Sequence, residues 1–302
     1  MTSAMLFRSM MNFIIRSSYF QRKKTFFLLN LLFFLSCSPS VIALKHAPDL
    51  TEEGFGFYIS RIERKIQNSP DNIDLLLKAS KYITMRGFAF QIEKANQYKF
   101  TDLDKASSYY KEALVLFEKA IDYGITAFNK KYEKFDNWLT SDSKMILPFT
   151  SEDVEGLYWL GAAFAGAISS SEASPEWVIK IPRIGVLFDK ALALDPNWQM
   201  GSLYSAMISY TMIRHDFEGN REDTARMYFE KAVELSKGND LSPYVTYAEN
   251  VSILNQNKRE FTNLLYRALN IDINSDKELR LTNYINYKRA QWLLDNIDEY
   301  FY

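Results

Sequence analysis

"GVLFDKALALDPN", residues 185–197, decides the fold of this chain. One turn sets a large apolar residue, an acid, a base and then alanine. The same order recurs in "LVLFEKAIDYG" (114–124) and "RMYFEKAVELSKG" (226–238). It recurs again in "TNLLYRALNIDIN" (262–274), with Tyr266 in the acid's place. The shared alanines are Ala120, Ala191, Ala232 and Ala268, spaced by 71, 41 and 36 residues. A recurring unit of about 35–40 residues marks a helical array. The wider spacings mark insertions. With 11 glycines and 8 prolines in 302 residues, the chain lacks the punctuation of an all-β fold.

Each recurring stretch reads as the second helix of a pair, and each needs a first helix with a small residue at the crossing. The spacing predicts Ala79 against Phe117 and Ala120, across a long segment 86–105. It predicts Leu160, Gly161 and Phe164 against Phe188 and Ala191. It predicts Ala206 against Phe229 and Ala232, and Ala248 against Leu265 and Ala268. The expected fold is therefore all-α: stacked antiparallel helix pairs, tetratricopeptide-like, with insertions at 129–153, 169–182 and 214–220. Residues 277–301 read as a helical cap on the stack. In 129–153, Thr150 or Ser151 is expected to cap a new helix, with Glu152 and Asp153 in its first turn.

The N-terminal 36 residues differ. They carry Arg8, Arg16, Arg22, Lys23 and Lys24 and no acid, then an apolar run from Thr25 to Leu35. That run is shorter than the roughly 20 residues a membrane-spanning helix needs. A basic stretch before a short apolar core reads as a secretory signal. It ends Phe34-Leu35-Ser36-Cys37, which resembles a bacterial lipobox, and Cys37 is the sole cysteine. The reading is a signal peptide at 1–36, a lipidated tether at 37–50 and a helical-repeat domain at 51–302. The start codon is open between Met1, Met10 and Met11, and an ordinary signal with an incidental cysteine is the alternative. Ser38 after the cysteine points to the outer membrane. Asp49 or Thr51 is expected to cap the first helix. Cleavage would leave 31 basic against 37 acidic residues, a net charge of −6. That disfavours nucleic acid as a partner.

No catalytic constellation is legible. His46 and His215, the only histidines, sit in unrelated contexts without metal spacing. There is no glycine-rich phosphate loop and no Ser–His–Asp arrangement. Glu249 and Asp216 read as isolated surface carboxylates. No cofactor, metal site or catalysis is expected.

The aromatics offer more. First helices of such arrays line the concave face. Tyr158, Trp159, Phe164, Tyr204, Tyr210, Tyr244 and Tyr247 are thus either packing between repeats or the lining of a cavity for an apolar or amphipathic ligand. Tyr132, Phe135, Trp138, Phe149 and Trp177 lie in the insertions. They either pad those insertions onto the domain or anchor a partner.

Three runs carry a family resemblance. They are "YWLGAAFAGAISSSEASPEWVIKIPRIGVLFDKALALDPNW" (158–198), "ARMYFEKAVELSKGNDLSPYVTYAENVSILNQNKREFTNLLYRALNID" (225–272) and "LRLTNYINYKRAQWLLDN" (279–296). Together they resemble the T component associated with TRAP transporters, the TatT family, over roughly residues 70–302. The resemblance implies a periplasmic lipoprotein that works with a TRAP-type solute-binding protein. It also implies trimers with a channel or cavity through each protomer. The competing reading is a scaffold lipoprotein of envelope assembly, with a solid core and no ligand.

Overall fold

The computed structural model describes residues 45–140 and 145–302. Cys37, the signal and most of the tether lie outside the described residues. Among those described, the chain is all-α with no strand. In chain order the helices are α1 Pro48–Asn68, α2 Ile73–Arg86, α3 Glu93–Tyr98, α4 Leu103–Lys131, α5 Phe135–Thr140 and α6 Val154–Ser170. There follow α7 Pro175–Val178, α8 Ile181–Leu194, α9 Ser202–Ile213, α10 Arg221–Leu235, α11 Ser242–Tyr247, α12 Lys258–Leu269 and α13 Arg280–Asp295.

The pairs are α2 with α4, α6 with α8, α9 with α10, and α11 with α12, with α1 on the outside of the first and α13 on the last. Ala120, Ala191, Ala232 and Ala268 are all buried where helices cross. Gly161 shows why a small residue stands at the crossing. A Cβ there would lie 2.4 Å from the Phe188 ring, closer than carbon atoms pack. Local signals set the starts. Asn72, Asp102, Asn220 and Asn257 each accept a hydrogen bond from a backbone N–H of the first turn they cap.

Two expectations are corrected. Segment 86–105 is not a connecting insertion. The helix runs on through a π-turn at Gly87–Ile92 into α3 and turns only at 99–102. Nor do Asp49 or Thr51 cap α1, which begins at Pro48 with Ala47 in the cap position; the Thr51 hydroxyl donates to the Ala47 carbonyl at 2.8 Å.

The insertion 129–153 folds down onto the first two pairs. Thr150 forms a capping box with Asp153, whose carboxylate accepts from the Thr150 N–H at 2.9 Å. The same buried carboxylate accepts from Lys131 Nζ at 2.6 Å and from the Tyr132 hydroxyl at 2.6 Å. Burial pushes the Asp153 pKa up, but Lys131, the Thr150 backbone and Tyr132 together hold it below the usual carboxylate range. That stabilisation is complete above the unfolded-state pKa and disappears as pH falls through the lowered folded value. Asp153→Ala should cost about 2 kcal/mol at pH 7, as for lost hydrogen bonds to a charged group. In urea melts the deficit should shrink towards acid pH. A deficit independent of pH would mean the carboxylate's charge is not what holds the insertion.

Candidate functional site: a closed central chamber

The last residues of the chain return to the first pair. The Phe100 ring lies parallel to Trp292, with centroids 5.8 Å apart, and meets Tyr300 edge-on at 5.3 Å. Lys99 Nζ donates to the Tyr300 hydroxyl at 3.3 Å. Beside this seam, buried Arg289 on α13 pairs with Glu249 of the π-turn Ala248–Ser252, and Glu93 on α3 lies within their electrostatic reach. The stack thus closes into a ring instead of ending as an open array.

Within the ring is a chamber of about 510 Å³ lined from α1, α2, the π-turn after α2, α6, α9, α11 and α13. One wall is apolar and aromatic: Phe55, Met85, Phe88, Phe90, Tyr158 and Trp159, with Leu281 and Ile285 from α13. The other is hydroxyl- and amide-bearing. Ser202, Ser205 and Ser209 share one face of α9, and Ser242, Thr246, Thr282 and Asn286 continue it on α11 and α13. Asn286 Nδ2 donates to the Ser242 hydroxyl at 3.1 Å, tying those two helices. Lys81 spans the α2–α6 side. It donates to Glu155 at 2.5 Å and sits 5.7 Å from the Trp159 ring. An open apolar groove beside α1, lined by Leu50, Gly54, Tyr58 and Tyr82, adjoins the chamber and shares Thr51 and Phe55 with it.

Of the seven aromatics expected at a cavity, two line the chamber. Tyr158 packs on Trp198 at 4.6 Å and on Trp159 at 5.2 Å, and burial raises its hydroxyl to about 12. The other five point elsewhere, because each first helix also buries a face against its own partner. Phe164 is in the core under Arg183. Tyr204 pairs with Tyr228 on an outer face beside Met227 and Lys231. Tyr210 is buried with its hydroxyl against Gly185, where a Cβ would be only 2.1 Å away. Tyr244 and Tyr247 close around Phe229 at 5.4 and 5.2 Å.

The five aromatics of the insertions are packing residues in this structure. Tyr132, Phe135, Phe149 and Trp177 are buried and Trp138 is half-buried. Phe135 stacks on Phe128 at 4.7 Å, and Phe149 meets Tyr132 and Trp138, each at 4.7 Å. Trp177 lies beneath Lys180 Nζ at 3.8 Å. They hold the insertions down and present little surface to a partner. Two carboxylates also differ from expectation: Glu249 is engaged with Arg289, and Asp216 with Arg214 at 2.8 and 3.0 Å. Among the described residues, no three His, Cys, Asp or Glu side chains gather as a metal site would require.

A ring of helix pairs around a chamber matches a known family along nearly its whole length. The family model described as TRAP transporter T-component matches residues 45–301. The chain belongs to this family. The family is an accessory of TRAP transport in the bacterial envelope, and it is not an enzyme class. An uncharacterized protein of Treponema pallidum (strain Nichols) is 22% identical over 258 residues, covering 84% of this chain and 80% of that protein. No helix among the described residues is long and apolar enough to cross a membrane.

Proposed function

We propose that this T component is anchored by a lipid on Cys37, faces the periplasm from the outer membrane, docks a TRAP-type solute-binding protein and shelters a small apolar or amphipathic ligand in its chamber. The chamber carries the reading. It has the size of a small-molecule site, about 300–1,000 Å³, and a mostly apolar lining with a few polar groups. A scaffold needs no such space, since interiors otherwise pack to near-crystalline density.

The α1 edge suits the docking role better than the insertions. Leu50 and Phe57 are 68% and 65% exposed there, and the adjoining groove shares a wall with the chamber. A partner seated on that groove would cover the ligand during transfer. Self-association as a trimer belongs to the same proposal.

An apolar fluorescent probe such as N-phenyl-1-naphthylamine should bind saturably, one per protomer, and quench Trp159. Phe88→Asp should abolish that binding. Leu50→Asp with Phe57→Asp should reduce co-purification with the solute-binding protein encoded beside it, by tenfold or more, since apolar anchors typically contribute over about 1.4 kcal/mol. Cys37→Ala should abolish incorporation of lipid label, and sedimentation should give a trimer. Absence of probe binding together with absence of solute-binding-protein capture would leave the scaffold reading.

A further inference from the structure

We propose that the chamber selects an uncharged amphiphile, its apolar body against the Phe55–Phe88–Trp159 wall and a neutral oxygen-bearing end, such as a hydroxyl, ester or amide, on Ser205 and Trp159. The proposal rests on the reading of the chamber as a ligand site and adds the chemistry of the ligand's polar end.

Two observations point to an oxygen. Ser205 is only 6% exposed, lines the chamber and has no hydrogen-bond partner in the protein. Trp159 Nε1 is likewise buried without a partner on the same lining. An indole N–H only donates, so its complement is an acceptor; a serine hydroxyl can donate or accept. Buried polar groups are nearly always paired, so a group left unpaired where small molecules fit is a place for a ligand to bond. Ser202 on the same face of α9 is already committed, donating to the Gln199 carbonyl at 2.9 Å. The free capacity is therefore confined to a few atoms, while the rest of the contact is carbon.

The charges argue that this end is neutral. Only two lining residues are ionic. Lys81 is neutralised by Glu155 at 2.5 Å, and Glu278 is exposed at the rim. An anionic ligand would pass a carboxylate on entry and find no unpaired cation on the lining. A cationic one would find no buried carboxylate. Burying an unpaired ion costs far more than burying a hydroxyl that finds a partner. Alcohol-like groups avoid that cost.

Matched ligands differing only in charge test this. With N-phenyl-1-naphthylamine bound to the full chain from residue 37 onward, 1-decanol and decanoate are titrated as competitors. At neutral pH, decanol should displace the probe at a concentration about tenfold or more below that of decanoate, a gap of the order set by one unpaired polar group. The gap should close at a pH where decanoic acid is protonated. Ser205→Ala should weaken decanol about fivefold, as one hydrogen bond would, while probe affinity and helical content hold. Decanoate binding as tightly as decanol, or decanol unaffected by Ser205→Ala, would overturn the proposal and leave the sheltering reading intact. Failure of both competitors against a well-bound probe would do the same. Failure of the probe itself to bind would overturn the sheltering reading, and this proposal with it.

Discussion

Phe117→Ala is expected to destabilise the domain by about 3–5 kcal/mol, the range for emptying a fully buried phenylalanine site. Phe117 stands where three helical segments meet. Its ring is wholly buried on α4 and faces the backbone of two others at glycines. A Cβ would lie 2.7 Å from it at Gly87 in the π-turn and 2.4 Å from it at Gly166 on α6. Phe88 closes the fourth side at 4.8 Å. Neither glycine can extend a side chain to refill the space, so the cavity persists and the cost stays near the top of the range. The converse variant, Gly166→Leu, should overpack the same spot and cost about 1–3 kcal/mol or more. Combining Phe117→Ala with Gly166→Leu should lose clearly less than the sum, because the new side chain occupies the vacated space. Urea denaturation of the four proteins measures this; strict additivity would show that the ring and the glycine are not each other's complement.

The second large effect lies at the ring's seam. Arg289→Met should cost about 3–5 kcal/mol at neutral pH, as for removing one partner of a buried ion pair. Without the guanidinium, Glu249 and Glu93 are left with no counter-charge between them. Burial already pushes the Glu93 carboxyl up; Arg289 pulls it down and Glu249 raises it further. An acid whose folded pKa is raised loses stability as pH climbs from its unfolded value through the folded one. Taking Arg289 away raises that folded value again, so the variant's deficit should be largest at neutral pH and shrink towards pH 5. Adding Glu249→Leu to Arg289→Met should recover part of the loss, since apolar replacement of a whole buried pair is often neutral. A deficit equal at both pH values would show that packing, not charge, is what Arg289 contributes.

The helix pairs were legible because their signal is local. A large apolar residue three positions before alanine stays on one face of a helix, wherever the insertions fall, and burial of all four alanines follows. Thr150 was legible for the same reason, since a capping box spans four residues. The chamber was not. A tyrosine on a first helix can face the ring's centre or its own partner helix, and the choice turns on rotations of a few tens of degrees that only packing fixes. So Tyr158 and Trp159 face inward while Tyr210 and Tyr244 do not. The inward serines of α9 do follow a visible i, i+3, i+7 spacing at 202, 205 and 209, but serine at that spacing reads equally as a solvated face. The insertion aromatics misled because an exposed loop and a loop folded back on its core are written with the same residues.

The seam between Phe100 and Trp292 sets an order of events. The atoms joined by Lys99 and Tyr300 are 201 positions apart in the chain, so most of the polypeptide must be made before they can meet. Helix hairpins form from near neighbours and form early; contacts this distant carry the loop-closure cost and come late. During synthesis from the N-terminus, the pairs can assemble one after another with the apolar wall still open to water. The chamber exists only once the final turn arrives. Loss of the last handful of residues would therefore leave every helix pair intact and no enclosed space, a chain of near-native helicity with its interior exposed.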